Sequence, residues 1–242
     1  MTAEAAYAGA VTAVPELGAL VAAPPGAVLL SGALLTDPAW LAERVVDAGV
    51  RWSVDDRRVV GTLWWYAASS TLLAPPVTTL LVTGRSVDVT LKGLTVYLRA
   101  DGYLGGGRST ELADADPEQL GVALREQLGA VIAPLAAVSG ASARSLWAIA
   151  ADSLGNWALR AGYAIGDVDR AVAGAGMVAA GIGAVLPTPR YVDVSGPPTR
   201  RYVRRGSCCL VFAVPGVEKC TSCPRQTPAL RLARLAAHAR TA

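Results

Sequence analysis

Histidine is nearly absent from this chain of 242 residues: His238 is the only one. That count removes several chemistries. A Rieske centre and a two-cysteine, two-histidine zinc finger each need two histidines, as does an H-E-x-x-H metalloprotease. A Ser or Cys nucleophile with a histidine base would have to use His238 on a terminal helix. Lysine is almost as scarce: Lys92 and Lys219 are the only two, and every other basic residue is arginine. No cysteine precedes Cys208. Met1–Tyr7 lacks the basic start of a secretory signal, so the expected location is the cytoplasm. That compartment is reducing, and cysteines there bind metal or do redox work more often than they form disulfides.

What is present is apolar. Hydrophobic residues make up 52% and charged residues 17% of the chain, with a mean hydropathy of +0.39, which excludes extensive disorder. Charge is split along the sequence. Residues 190–242 carry ten Arg or Lys against Asp193 and Glu218, a net of +8; residues 1–189 carry twelve against seventeen acids, a net of −5. A basic segment expects an anionic partner. No nucleic-acid module is recognisable, and few aromatics accompany these arginines, so nucleic acid is not expected.

The pattern predicts an α+β fold, predominantly α-helical with short antiparallel β-hairpins. Residues 1–189 form a mostly helical body and 190–242 a basic, cysteine-bearing C-terminal unit, with no linker to keep them from sharing one core. Asp37-Pro38 and Asp116-Pro117 supply an N-cap and a first helical residue each. They open helices over Pro38–Ala48, stopped by Gly49, and from Pro117 to about Val138, kinked or ended early by Pro134. Further helices are expected over Ser142–Tyr163, over Asp167–Val185, and from Thr227-Pro228 onward. Val59–Val82 and Ala171–Pro189 carry no charge but are read as buried; Pro75-Pro76 breaks the first, and the second is mostly Ala and Gly. Alternation through Ser86–Arg99 predicts two short strands turning at Lys92-Gly93. Tyr191–Val194 and Tyr202–Val203, about Gly196-Pro197-Pro198, predict another hairpin, and Leu210–Val214 is a third strand-like run. Gly105-Gly106-Gly107 is read as a flexible loop or lid.

All four cysteines lie within sixteen residues: Cys208-Cys209, ten residues, then Cys220-Thr221-Ser222-Cys223. Such concentration indicates one site. C-x2-C lets two thiolates of one loop grip metal, whereas neighbouring cysteines diverge unless a turn brings both inward. Structural zinc prefers two C-x2–4-C pairs, and only one is present. A thiol–disulfide motif would use Cys220 and Cys223 and leave Cys208-Cys209 unexplained. An iron–sulfur cluster wants four thiolates, and its spacings vary among families.

Arg204-Arg205-Gly206-Ser207-Cys208-Cys209-Leu210, followed by Cys220-x2-Cys223-Pro224, resembles the C-terminal signature of the FhuF-type ferric-siderophore reductases. The chain length fits that family, and the Trp147-to-Asn156 helix is similar to its central helical region. The resemblance implies that Cys208, Cys209, Cys220 and Cys223 hold a 2Fe-2S cluster. It also implies an oxidoreductase that reduces siderophore-bound Fe(III) to Fe(II) by one electron, releasing iron in the cytoplasm. The partners it implies are a ferric siderophore of hydroxamate type, an external donor such as a ferredoxin or flavin reductase, and peripheral association with a membrane importer. The alternatives are an iron–sulfur carrier or iron sensor without its own substrate, and a structural four-cysteine zinc module.

An oxidised four-thiolate 2Fe-2S cluster carries a formal charge of about minus two. Arg204, Arg205 and Arg225 lie close enough in sequence to compensate it, and N–H groups near Gly206 and Gly216 to hydrogen-bond its sulfurs. Arg200, Arg201, Arg204 and Arg205 are equally candidates for docking an acidic siderophore or donor. Trp64-Trp65-Tyr66, Trp147 and Trp157 are pocket candidates that helical spacing places more readily in a core, and Asn156 is read as a buried polar group needing a partner. Gly174-Ala175-Gly176-Met177-Val178-Ala179, with Asp193 following, fits a dinucleotide fingerprint, but no strand precedes it and it is read as a decoy.

Overall fold

The computed structural model describes residues 1–99, 101–113, 115–196 and 199–241. Among them the elements are, in order, helices α1 (Ala3–Ala13) and α2 (Gly18–Val21), strand β1 (Val28–Ser31), helices α3 (Pro38–Trp52) and α4 (Arg57–Thr83), strands β2 (Ser86–Val87), β3 (Leu94–Leu98), β4 (Leu104–Ser109) and β5 (Leu112–Ala113), helices α5 (Pro117–Ser139), α6 (Ala143–Ile165) and α7 (Val168–Ile182), the hairpin β6 (Tyr191–Val194) and β7 (Arg200–Val203), and helix α8 (Pro228–Ala239). This is the expected α+β class, predominantly helical.

The caps work as the sequence indicates. Asp37 accepts from the N–H groups of Ala39 and Trp40, and Asp116 from those of Glu118 and Gln119. The helix stops are less faithful. Helix α3 runs through Gly49 and ends only where Ser53 turns left-handed, at φ 51°. Helix α5 runs through Pro134 to Gly140, at φ 72°. Helix α4 passes through both Pro75 and Pro76 without breaking. Helices α1, α3, α5 and α6 surround it, and twenty of its residues are buried. Tertiary packing here outweighs the local cost of two prolines, and the Thr79 hydroxyl donates to the Pro75 carbonyl at 2.8 Å. The charge-free Val59–Val82 segment is thus the central core helix. Among the described residues one helix, α5, is long and apolar enough to cross a membrane; its Leu120, Leu124, Leu128, Val131, Ile132 and Leu135 are buried in the core.

The strand pairing differs from expectation. β2 and β3 do not pair across Lys92-Gly93; β2 pairs with β5, and β3 sits between β1 and β4. Gly105–Gly107 is no lid but the middle of β4. The Tyr97 ring lies where Cβ atoms at Gly105 and Gly106 would go, and the Leu20 carbonyl also occupies the Gly106 position. The β6–β7 hairpin forms in register, Tyr191 opposite Val203; Pro197 and Pro198 of its expected turn lie outside the described residues. Leu210–Val214 is not a strand: Leu210 is left-handed, at φ 64°, and Val211–Ala213 form a 3-10 turn. The dinucleotide-like motif lies inside continuous helix α7, with Gly174 against Leu81, and so offers no strand-to-helix phosphate loop.

The C-terminal unit lies on two helices of the body. Val214, Leu210 and Val211 cluster with Val59 and Leu63 of α4. The hairpin approaches α6 closely because position 155 is glycine: a Cβ there would stand 3.0 Å from Val203 Cγ2 and 3.3 Å from the Tyr191 hydroxyl.

Candidate metal centre

The cysteine loop rests on Asp152 of α6. This carboxylate is buried and accepts from Gly206 N–H at 2.8 Å, Ser207 N–H at 3.4 Å and Arg205 Nε at 3.4 Å. Side-chain exposures of 4% for Arg205 and 6% for Asp152 make this a buried ion pair. Burial raises the Asp152 carboxyl above its ordinary range, and the Gly206 N–H and Arg205 pull it back down. Sequence reasoning missed Asp152. Its signal was a lone charge in the apolar run Ala150-Ala151-Asp152-Ser153-Leu154.

From this anchor the chain presents its sulfurs. Cys208 Sγ lies 3.7 Å from Cys223 Sγ. Arg205 Nη1 lies 3.6 Å from Cys209 Sγ and 3.3 Å from Cys220 Sγ. The left-handed Leu210 is the turn that lets neighbouring cysteines converge; a leucine there stores roughly 1 kcal/mol or more. Its N–H points at Cys208 Sγ, 3.4 Å away. The Cys220–Cys223 turn closes by Cys223 N–H donating to the Cys220 carbonyl at 3.0 Å. Buried Gln226 ties it further, its Nε2 donating to the same carbonyl at 2.6 Å. Cys209 and Cys223 are buried, while Cys208 and Cys220 reach the surface in part.

The sulfurs perturb one another. Sharing a hydrogen bond with the Cys208 thiol, then one with Cys220, and facing the Arg205 charge, the Cys209 thiol is pulled far down. Interaction with Cys209 and burial push Cys208 and Cys220 up. Burial works against the charge of Arg205, but Cys209, Tyr66 and Cys220 together more than offset it and keep the guanidinium protonated. One thiolate held among thiols beneath a buried cation suits a group that displaces protons and brings negative charge. Among the described residues no His, Cys, Asp or Glu group is spaced to grip a single metal ion. The four thiolates, the guanidinium and the Leu210 N–H fit a 2Fe-2S cluster, needing four thiolates and charge compensation.

The other candidates scatter. The Gly206 N–H serves Asp152 and not a sulfur, and Arg225 stands over Phe212, 5.3 Å from the ring centroid. Arg204 is exposed, its backbone N–H bound to the Arg190 carbonyl at 2.7 Å. Arg201 is paired with Asp193 and Asp169, both at 2.6 Å. Trp147 packs towards α5, where a Cβ at Gly129 would stand 3.7 Å from its ring. Trp64, Trp65 and Trp157 are buried, and Trp157 Nε1 donates to Ser70 Oγ at 3.0 Å. Tyr66 alone of its trio reaches the site, its ring 4.9 Å from the Arg205 guanidinium carbon. Asn156 is exposed, not buried; the buried polar group is Asp152, one turn earlier. Asn156 and Arg201 meet in a surface cleft of about 700 Å³ between α6, β7 and α8.

A converging four-cysteine loop under a buried arginine defines an iron–sulfur protein. Residues 205–225 match the family model of the FhuF 2Fe-2S C-terminal domain, which supports a 2Fe-2S cluster on this loop. The match begins at Arg205 and takes in all four cysteines. No curated protein matches the chain.

Proposed function

We propose that the protein reduces Fe(III) held in a siderophore to Fe(II), one electron at a time, inside the cytoplasm. Hard oxygen donors bind Fe(III) far more tightly than Fe(II), so reduction releases iron and leaves the chelator intact. The electron comes from an external reduced ferredoxin or flavin reductase, and the products are Fe(II), the freed chelator and the oxidised donor. When bound, the 2Fe-2S group supplies the one-electron couple.

The chain's own residues serve that task. Arg205 offsets the negative charge, and the Leu210 N–H adds a donor to Cys208. Asp152 fixes the loop through three donors. Cys209 and Cys223 are closed off from water. The observation that carries the reading is that Cys208 and Cys220, on the same loop, are only half-buried. Partner and chelate can therefore approach the sulfurs directly. The four free cysteines also suit a reducing compartment.

The test is anaerobic. The dithionite-reduced protein, freed of excess reductant, is mixed with ferric hydroxamate and, separately, ferric catecholate. Loss of the reduced EPR signal with stoichiometric Fe(II), trapped by a ferrous chelator, is the expected result. A reduced protein that keeps its signal with both chelates would make this a carrier or sensor instead.

A further inference from the structure

Cations without acidic partners flank the cysteine loop. Lys219 immediately precedes Cys220, and Arg225 follows Cys223 by two residues. Both are exposed, and both lie over the same Phe212 ring, 5.9 and 5.3 Å from its centroid. Arg204 and Arg231 meet at a surface trough of about 320 Å³, which apolar Val192, Leu232 and Leu235 also line. None of these four cations has a carboxylate partner among the described residues. The two acids of residues 190–242 are already paired, Asp193 with Arg201 and Glu218 with Arg234.

The four cations are linked through the loop itself. Arg234 Nη1 donates to the Lys219 carbonyl at 2.8 Å and so ties helix α8 to the residue before Cys220. Arg231, one turn earlier in α8, carries the basic stripe on to the trough. Arg204 joins it from the hairpin side, and its neighbour Arg205 reaches Cys209 and Cys220. Half-buried Cys208 and Cys220 therefore lie along a cationic face. Exposed apolar side chains accompany it: Val217, Leu230 and Leu232. Like charges gathered on one side of a molecule repel one another, and an anionic partner relieves that repulsion.

We infer that this face docks an acidic electron-carrier protein, which delivers its electron at the edge of the loop where Cys220 is open to solvent. The inference rests on the reductase reading only for the need of a donor. One electron crosses from the reduced carrier, which is oxidised, to the thiolate-held group, which is reduced; no covalent bond forms or breaks. A protein suits the face better than a chelate does, because the four cations are spread over a loop, a strand end and a helix. Electron-transfer encounters are small and are steered by opposite charge, with a few apolar contacts between the charges. A membrane suits it less well. Leu235, on the apolar side of α8, is buried in the protein, so only Leu230 and Leu232 of that helix could enter lipid.

The anaerobic holoprotein is mixed by stopped flow with a reduced plant-type ferredoxin, an acidic one-electron carrier. The second-order rate should fall at least about fivefold between about 0.05 and about 0.5 M salt. Lys219→Gln/Arg225→Gln should slow it about fivefold or more at low salt, and Arg231→Gln about twofold, with both deficits shrinking at high salt. Arg85→Gln removes an exposed charge beyond the far end of α4, where Thr83 lies about 26 Å along the axis from Tyr66; it should change nothing. Reduction by a photoreduced deazaflavin, small and uncharged, should be equal in all variants. A rate indifferent to salt, or to Lys219 and Arg225, overturns the inference, as does an equal loss in Arg85→Gln. Discharge of the deazaflavin-reduced protein to ferric hydroxamate is followed separately. Slowing there in the double variant would give the face to the chelate and overturn the inference. Fast, salt-sensitive reduction by the ferredoxin with no discharge would keep the docking face and sink the reductase reading. Sedimentation with phosphatidylglycerol vesicles that Arg231→Gln abolishes would assign the face to a membrane instead.

Discussion

Replacing Arg205 by methionine should lower the reduction potential of the protein. The guanidinium is the one cation within hydrogen-bond reach of the sulfurs among the described residues, at 3.3 and 3.6 Å. An added electron spreads over the whole group, so a charge separation of about 6 Å is a fair working value; at an effective dielectric of about 20 the attraction is roughly 3 kcal/mol. For a one-electron couple, where 59 mV is a factor of ten, that is on the order of 100 mV. Methionine keeps much of the volume and removes the charge. Asp152 then loses its partner; ionised in both proteins, its carboxylate adds nothing to the difference between them. Arg205→Lys retains the charge but gives up the fork, and should fall between. EPR-monitored titration measures all three. A shift under about 20 mV, or one to higher potential, would refute the claim that Arg205 compensates the charge.

Asp152→Ala removes the acceptor of three donors and strands Arg205, a loss of about 3–5 kcal/mol where no cluster offsets that charge. Urea unfolding of the apoprotein and cluster loss in the holoprotein would report it, and wild-type values in both would reject the role. Burial pushes the Tyr191 phenol up to about 12, and its hydroxyl has no partner among the described residues. The unfolded chain therefore loses this proton first: the contribution is intact below about pH 10 and lost as pH climbs towards 12, roughly 2–3 kcal/mol at most. Tyr191→Phe should flatten that alkaline loss and be neutral or slightly stabilising at pH 7; an unchanged alkaline limb in urea would contradict this. Gly121 faces the Val178 carbonyl across the α5–α7 crossing, and a Cβ at position 121 would stand 2.7 Å from Gly181 Cα. Gly121→Ala should cost about 1–3 kcal/mol or more. In the same helix pair Gly176 meets open space, and Gly176→Ala should add about 0.5–1 kcal/mol in thermal unfolding. Equal effects at the two sites would contradict the close crossing.

The local signals were legible. Ser142 begins a helix without a side-chain cap; Asp37-Pro38, Asp116-Pro117 and Thr227-Pro228 begin theirs because a cap is satisfied within one turn of chain. The β6–β7 hairpin was legible for the same reason. The cysteine spacing identified the metal centre, since ligands on one short loop need no distant residue to be noticed. Elements stopped or paired by distant parts were misread. Pro75-Pro76 stays helical only because other helices enclose it, and Gly105–Gly107 is a strand only because Tyr97 and Leu20 close over it.

The sequence by itself therefore determined the helical class, most helix starts and the short loop that carries all four cysteines, all consequences of short-range geometry. Tertiary structure alone decided which arginine serves the sulfurs. Of the four arginines between 200 and 205, Arg205 points inward because Asp152, some fifty residues earlier, is buried and needs a cation, while Arg201 is held outside by Asp193 and Asp169. Charge pairing in a low-dielectric interior depends on which groups the fold brings together, and nothing in the local run Arg204-Arg205 distinguishes the two.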